Sequence, residues 1–137
     1  MNAQKVFTIP IEIRFKDLDS LGHVNHAVFI TYFEEGRKTL FQQFFDVRDA
    51  SELNFIMAHV RCDYLKPIQL SHRRVTLQMR VSKIGNKSFD LEYSLSDPAN
   101  PDTIFATGAS VQVSFDYQAN KSVRISDKMR AMLLEYA

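Results

Sequence analysis

The stretch Phe15-Lys16-Asp17-Leu18-Asp19-Ser20-Leu21-Gly22-His23-Val24-Asn25-His26, followed at once by Phe29-Ile30-Thr31-Tyr32-Phe33-Glu34-Glu35-Gly36-Arg37, is where the chain exchanges one structural period for another. Upstream, over residues 6–15, Ile9, Ile11, Ile13 and Phe15 alternate with Glu12 and Arg14, the period of a half-buried strand, and Pro10 marks a sheet edge or a strand start. Downstream, Phe29, Phe33, Gly36, Leu40 and Phe44 recur every three or four residues. Tyr32 and Phe41 widen that stripe, and Glu35, Lys38, Gln42 and Gln43 are left for solvent, so this is a helix covered on most sides. Gly22 breaks the pattern just before it, which places the helix start near Asn25, with Asn25 or Asp19 as its cap. A glycine inside a helix costs about 1 kcal/mol relative to alanine. Gly36 is therefore expected where the helix packs closely on a neighbour.

Beyond the helix come four strand-like runs, residues 53–65, 73–84, 87–96 and 103–117, separated by the turn signals Gly85-Asn86 and Asp97-Pro98-Ala99-Asn100-Pro101. Val75, Leu77, Met79 and Val81 line one face; Phe89, Leu91, Tyr93 and Leu95 line another; Val111, Val113 and Phe115 repeat it. The chain closes with a second, short helix capped by Ser126, with Met129, Met132, Leu133 and Tyr136 at helical spacing. A strand, a long helix and then four antiparallel strands define an α+β fold in which one sheet of about five strands wraps the early helix.

A chain of 137 residues, 45% hydrophobic, fits one domain spanning 1–137. No apolar run is long enough to cross a bilayer, and the N-terminal residues lack the apolar core of a signal peptide, so a cytoplasmic protein without membrane insertion is expected. The lone Cys62, in a strand-like run, reads as a small buried hydrophobe. A formal net charge of +1 with cations spread along the chain leaves no footprint for nucleic acid.

The residues at the period change also carry chemistry. A carboxylate just ahead of a helix start offers a nucleophile or general base, and the free N–H groups at that start can receive negative charge developing on a carbonyl oxygen. Asp17 and Asp19 are the carboxylates so placed, Gly22 is the turn, and the N–H groups around Asn25 are those at the helix start. Asp17 reads as a residue that holds the loop, and His23 as one that orients Asp19 through a side-chain hydrogen bond. Asp19, His23 and His26 match no standard zinc spacing, so no metal site is expected. Glu34 and Glu35 diverge on the helix surface and read as packing or subunit-contact residues beside Arg37 and Lys38. His59 and His72 carry no motif.

The pattern Phe-x-Asp-x-Asp-x-x-Gly-His-Val-Asn over 15–25, then Tyr32-Phe33-Glu34-Glu35-Gly36-Arg37, then Asp63-Tyr64-Leu65-Lys66-Pro67, resembles the hotdog-fold acyl-CoA thioesterases of the 4-hydroxybenzoyl-CoA thioesterase type over nearly the whole chain. The resemblance implies a hotdog fold, an antiparallel sheet wrapped around a long central helix. It also implies Asp19 as catalytic acid, acting as nucleophile or as base on water, and His26 N–H as the donor that polarises the thioester carbonyl. Tyr64 would border the acyl pocket, and Lys87, Ser88 and Phe89 would meet the nucleotide end of coenzyme A, with Arg61, Arg73 and Arg74 as weaker candidates. Coenzyme A enters as part of the substrate and no cofactor is implied. The family pairs subunits into a continuous sheet, so a homodimer or homotetramer is expected. Two positions depart from the pattern: Leu18 stands where a small residue is frequent, and Gly85-Asn86 where arginines can occur. A thioesterase acting on acyl carrier protein, a non-catalytic module that binds acyl thioesters or a protein, and a hydratase lacking its lineage's motif are the alternative readings.

Overall fold

The computed structural model describes residues 5–45 and 54–137. Strand β1 (Phe7–Glu12) leads through a 3₁₀ turn at Phe15–Asp17 to helix α1 (His26–Phe44). Strands β2 (Phe55–Tyr64), β3 (Arg74–Ile84), β4 (Ser88–Asp97), β5 (Asn100–Asp116) and the two-residue β6 (Lys121–Ser122) follow, and helix α2 (Asp127–Glu135) ends the chain. The main sheet has the order β1-β3-β4-β5-β2 with every neighbour antiparallel, and β6 adds a short pairing to β5. This curled sheet around a long helix is the hotdog arrangement.

The helix begins where the sequence places it: Asn25 is the cap, its Oδ1 accepting from Ala27 N at 2.9 Å. Phe29, Tyr32, Phe33, Gly36, Leu40 and Phe41 form its buried stripe. Gly36 faces β3 so closely that a methyl group there would overlap Leu77 Cδ2. Phe33 fills the space above Gly108 of β5 and stacks on Tyr93 of β4 at 4.4 Å and 11°. Phe41 meets Phe55 and Phe89 edge to face. Helix α2, capped by Ser126 Oγ on Met129 N, buries Met129, Met132 and Leu133, and Tyr136 O accepts from Val81 N at 2.8 Å. Pro10 lies on the edge strand β1, where its missing N–H interrupts only one side of the ladder.

Four expectations change. The first strand stops at Glu12, and Phe15 is 81% exposed, because the Asp17 carboxylate accepts from Arg14 N and turns the chain into the 3₁₀ turn. On β5 the buried face is Ala106, Gly108, Ser110 and Gln112, whereas Val111 and Val113 lie half-buried on the other face; small residues are needed where Phe33 rests. Arg37 is buried rather than part of a solvated surface, donating from Nη1 to Tyr93 Oη at 3.0 Å. Cys62 is only half-buried, because β2 is an edge strand with little over it. Leu53, expected to open that strand, lies outside the described residues. Among the described residues no helix is long and apolar enough to cross a membrane.

Candidate active site

Between the 3₁₀ turn and α1 the chain makes a miniature hairpin. Leu18 and Val24 bridge antiparallel, Asp19 N donates to His23 O at 2.9 Å, and Gly22 N donates to Asp19 O at 3.1 Å. Gly22 takes φ +83°, a conformation that side-chain-bearing residues rarely adopt, with open space around it. Asp19 sits near the tip, half-buried, with Oδ1 accepting from Leu21 N at 2.9 Å. This local hydrogen bond fixes the carboxylate's rotamer.

The base of the hairpin is held by Asp17, which is 2% exposed. Its Oδ2 accepts from Arg14 N at 2.9 Å and from Tyr32 Oη at 2.8 Å, and its Oδ1 from Arg14 Nη2 at 3.2 Å. Burial alone pushes this carboxyl up. The hydrogen bonds from Arg14 N, Tyr32 and the Arg14 guanidinium, with the guanidinium charge, outweigh burial and hold Asp17 below the ordinary carboxylate range. Tyr32 is driven the other way, chiefly by burial and then by its bond to the Asp17 carboxylate. Asp17 is thus ionised and fully occupied, in keeping with a residue that holds the loop.

At the helix start the donors divide. Val24 N is used by Ile68 O at 2.8 Å and Asn25 N by Asp17 O at 2.9 Å, so neither is free to receive charge from a substrate, contrary to the expectation for Asn25. Ala27 N is taken by the Asn25 side chain. The N–H of His26, the first helical residue, has no partner among the described residues, and α1 carries no acidic side chain in its first turn to offset the positive end of its dipole. His23 joins the loop through its backbone, by the carbonyl bond to Asp19 N and a bridge to Gln69, rather than through its ring. Tyr64, at the end of β2, is brought to this point: its hydroxyl donates to His26 O at 2.7 Å and its ring meets His26 and Phe29 edge to face. Burial, and then the neighbouring Cys62 thiol, push its phenol up.

Lys87, Ser88 and Phe89 are elsewhere. Ser88 pairs with Val113, which pairs with Ile56, so the Gly85–Ser88 turn stands at the Phe55 end of the sheet. The Tyr64 end lies nine residues further along β2, about 30 Å at strand rise. Lys87 is exposed there, and Phe89, 1% exposed between Phe41 and Phe55, borders the cavity lined by Phe45, Asn54 and Met129. Arg61 is engaged by Asp63. His72 accepts from Gln69 N at 2.9 Å through Nδ1 and packs on Phe105, while His59 is exposed. Glu34 and Glu35 are both exposed on α1. Among the described residues no three His, Cys, Asp or Glu side chains converge as a metal would require.

Sequence reasoning missed Tyr32 as a polar partner and the buried chain from Arg37 through Tyr93 and Ser110 to Gln112. Tyr32 falls in the apolar stripe, and its partner lies fifteen residues upstream in another element, so no local period reveals the contact. The Ser110 and Gln112 pair within the β5 pattern was the available signal for the second network.

The chain is similar to several known proteins. Residues 13–133 match the Thioesterase-like superfamily. An uncharacterised protein of Bacillus subtilis, YsmA, is 27% identical over 124 residues, covering 90% of this chain and 82% of that one. A predicted thioesterase from Bacillus stearothermophilus superimposes with a TM-score of 0.84 at 26% identity, covering 97% of each chain. A thioesterase from Thermus thermophilus, solved with coenzyme A and Zn, does so with a TM-score of 0.80 at 29% identity, covering 97% of this chain and 94% of its own.

Proposed function

Because the chain belongs to the thioesterase-like superfamily, we propose that it is a cytoplasmic thioester hydrolase that cleaves acyl-coenzyme A to the free acid and coenzyme A. The observation that carries this reading is the unpartnered His26 N–H at the positive end of a 19-residue helix, joined through one small hairpin to the half-buried Asp19 carboxylate. The substrate carbonyl oxygen accepts from His26 N–H, and Asp19 acts on the carbonyl carbon, directly or through a water it deprotonates. The carbon–sulfur bond then breaks and the thiolate leaves to take up a proton; attack by the activated water gives the free acid at once, whereas direct attack leaves an acyl anhydride on Asp19 that water hydrolyses to the acid, restoring the carboxylate. Loss of one such backbone donor typically raises a barrier by about 3–4 kcal/mol. Gly22 supplies the turn that presents Asp19. Coenzyme A is carried by the substrate, and the chemistry asks for no metal or further cofactor.

That the thioesterase from Thermus thermophilus was solved with coenzyme A supports the choice of thiol carrier. Self-association completes the site in this reading. Among the described residues strand β2 is an uncovered edge of ten residues exposing Ile56, Met57, Val60, Tyr64 and the adjoining Leu65, a surface that a second copy would cover. Two β2 strands related antiparallel by a two-fold axis bring the Tyr64 end of one subunit beside the Phe55 end of the other. Lys87 and Ser88 of the second subunit then reach the nucleotide of a substrate whose carbonyl rests at Asp19 and His26, and Tyr64 lines the acyl path.

Thiol release from a panel of short, long and aromatic acyl-coenzyme A substrates, measured for the wild-type protein and Asp19→Asn, tests the reading. Turnover by the wild type that falls at least about 100-fold in the variant, with the circular dichroism spectrum intact, is the expected result. Undiminished turnover by the variant would refute the role of Asp19. A wild type inert on the whole panel would refute coenzyme A hydrolysis and favour a carrier-protein substrate or a binding role.

A further inference from the structure

The hairpin that presents Asp19 has two arms, joined to each other by the backbone bonds of Asp19 N to His23 O and Asn25 N to Asp17 O, and each arm has its own side anchor. The returning arm is tied to the loop after β2, by Val24 N to Ile68 O at 2.8 Å and by the bridge between His23 and Gln69. The outgoing arm, which carries Asp19, is held at its base by the Asp17 carboxylate. Of the three donors on that carboxylate, two come from Arg14, just upstream in the chain. The third, Tyr32 Oη, alone comes from α1, the helix whose first residue provides the His26 N–H.

Tyr32 is 1% exposed, and for packing alone phenylalanine would serve in its place without a hydroxyl to desolvate. Its oxygen is instead spent on a carboxylate that already has partners at both oxygens. That bond ties the acid-bearing arm to the donor-bearing helix less than two helical turns from His26. We propose that Tyr32 is a positioning residue whose hydroxyl, acting through Asp17, keeps Asp19 in register with the His26 N–H. The inference rests on the reading of Asp19 given above. Misplacement of a reacting group by about 1 Å costs as much as 100-fold in rate, whereas substrate binding along β2 does not depend on this contact.

A double-mutant cycle of Tyr32→Phe and Asp19→Asn, read by steady-state kinetics with thermal unfolding recorded on the same samples, tests it. Tyr32→Phe is expected to lower kcat about ten- to 100-fold with KM within about twofold. In the Asp19→Asn background the same change is expected to alter the residual rate less than about twofold, because the group being positioned is gone. Asp17→Asn, which keeps the shape but weakens the acceptor, is a second variant expected to lower kcat with little change in KM. Wild-type kcat in Tyr32→Phe together with an inactive Asp19→Asn would overturn this proposal alone, as would equal losses in both backgrounds. Full turnover by Asp19→Asn would instead remove the Asp19 reading, and this proposal with it.

Discussion

Replacing Gly108 by alanine measures how tightly α1 is pressed onto the sheet. In an open strand that substitution gains about 0.5–1 kcal/mol, because glycine loses more backbone freedom on folding. Here the added Cβ would overlap Phe33 Cε2 and stand 2.7 Å from Phe33 Cζ and 2.8 Å from the backbone oxygen of Arg61. Carbon atoms in a core rest about 3.5–4 Å apart, so the methyl must displace its neighbours by roughly 1 Å. Phe33 cannot simply withdraw, since its other face is stacked on Tyr93 at 4.4 Å, and the Arg61 oxygen belongs to β2 itself. Overpacking of this kind costs about 1–3 kcal/mol; three contacts this short put the cost in the upper half of that range, leaving a net loss of about 1–2.5 kcal/mol. For a chain of this length that corresponds to a Tm lower by about 3–10 °C. Thermal and urea unfolding followed by circular dichroism provide the measurement. A variant as stable as the wild type, or more so, would refute the claim that Gly108 exists to admit the Phe33 ring.

Charge on the uncovered edge tests assembly: Val60→Asp, at a position already partly exposed in one subunit, is expected to shift the protein toward monomer in sedimentation or light scattering and to lower kcat/KM. An unchanged oligomer would place the interface elsewhere. Acid tests Asp17. Its folded-state pKa lies below the unfolded value of about 3.9, so its contribution to stability is present above about pH 4 and is lost as pH falls through the folded pKa. Urea midpoints between about pH 2 and 7 should show a decline at the acid end that Asp17→Asn reduces, and an equal decline in both proteins would refute the assignment.

What was legible in the sequence was whatever repeats locally. The α1 stripe, its Asn25 cap, the Ser126 cap of α2 and the β3 and β4 alternations all follow from neighbours within four residues. The inner face of β5 was misread because its apolar alternation belongs to the opposite side, the helix-facing positions being given to Ala106, Gly108, Ser110 and Gln112. The candidate site was readable as far as its motif: Asp19 and Gly22 share one hairpin, which runs into the helix that His26 opens. Which N–H groups remain free could not be read, because the bonds that consume those of Val24 and Asn25 come from Ile68 and Asp17. The separation of Lys87 from Asp19 was hidden for the same reason, since it follows from strand order rather than from spacing.

The strand order β1-β3-β4-β5-β2 also dictates a sequence of events during synthesis. The central strands β3, β4 and β5 are consecutive and joined by short turns, so they can form as a meander from local contacts. By contrast, Phe7 must find Met79 and Phe55 must find Ser114 across about half the chain. The ribosome therefore releases β1, the aromatic helix α1 and β2 well before any of their partners exist. Until the meander emerges, Phe29, Phe33, Leu40 and Phe41 have no sheet to cover them, which makes the nascent N-terminal half the segment most dependent on chaperones and the one where a pause in translation would invite aggregation.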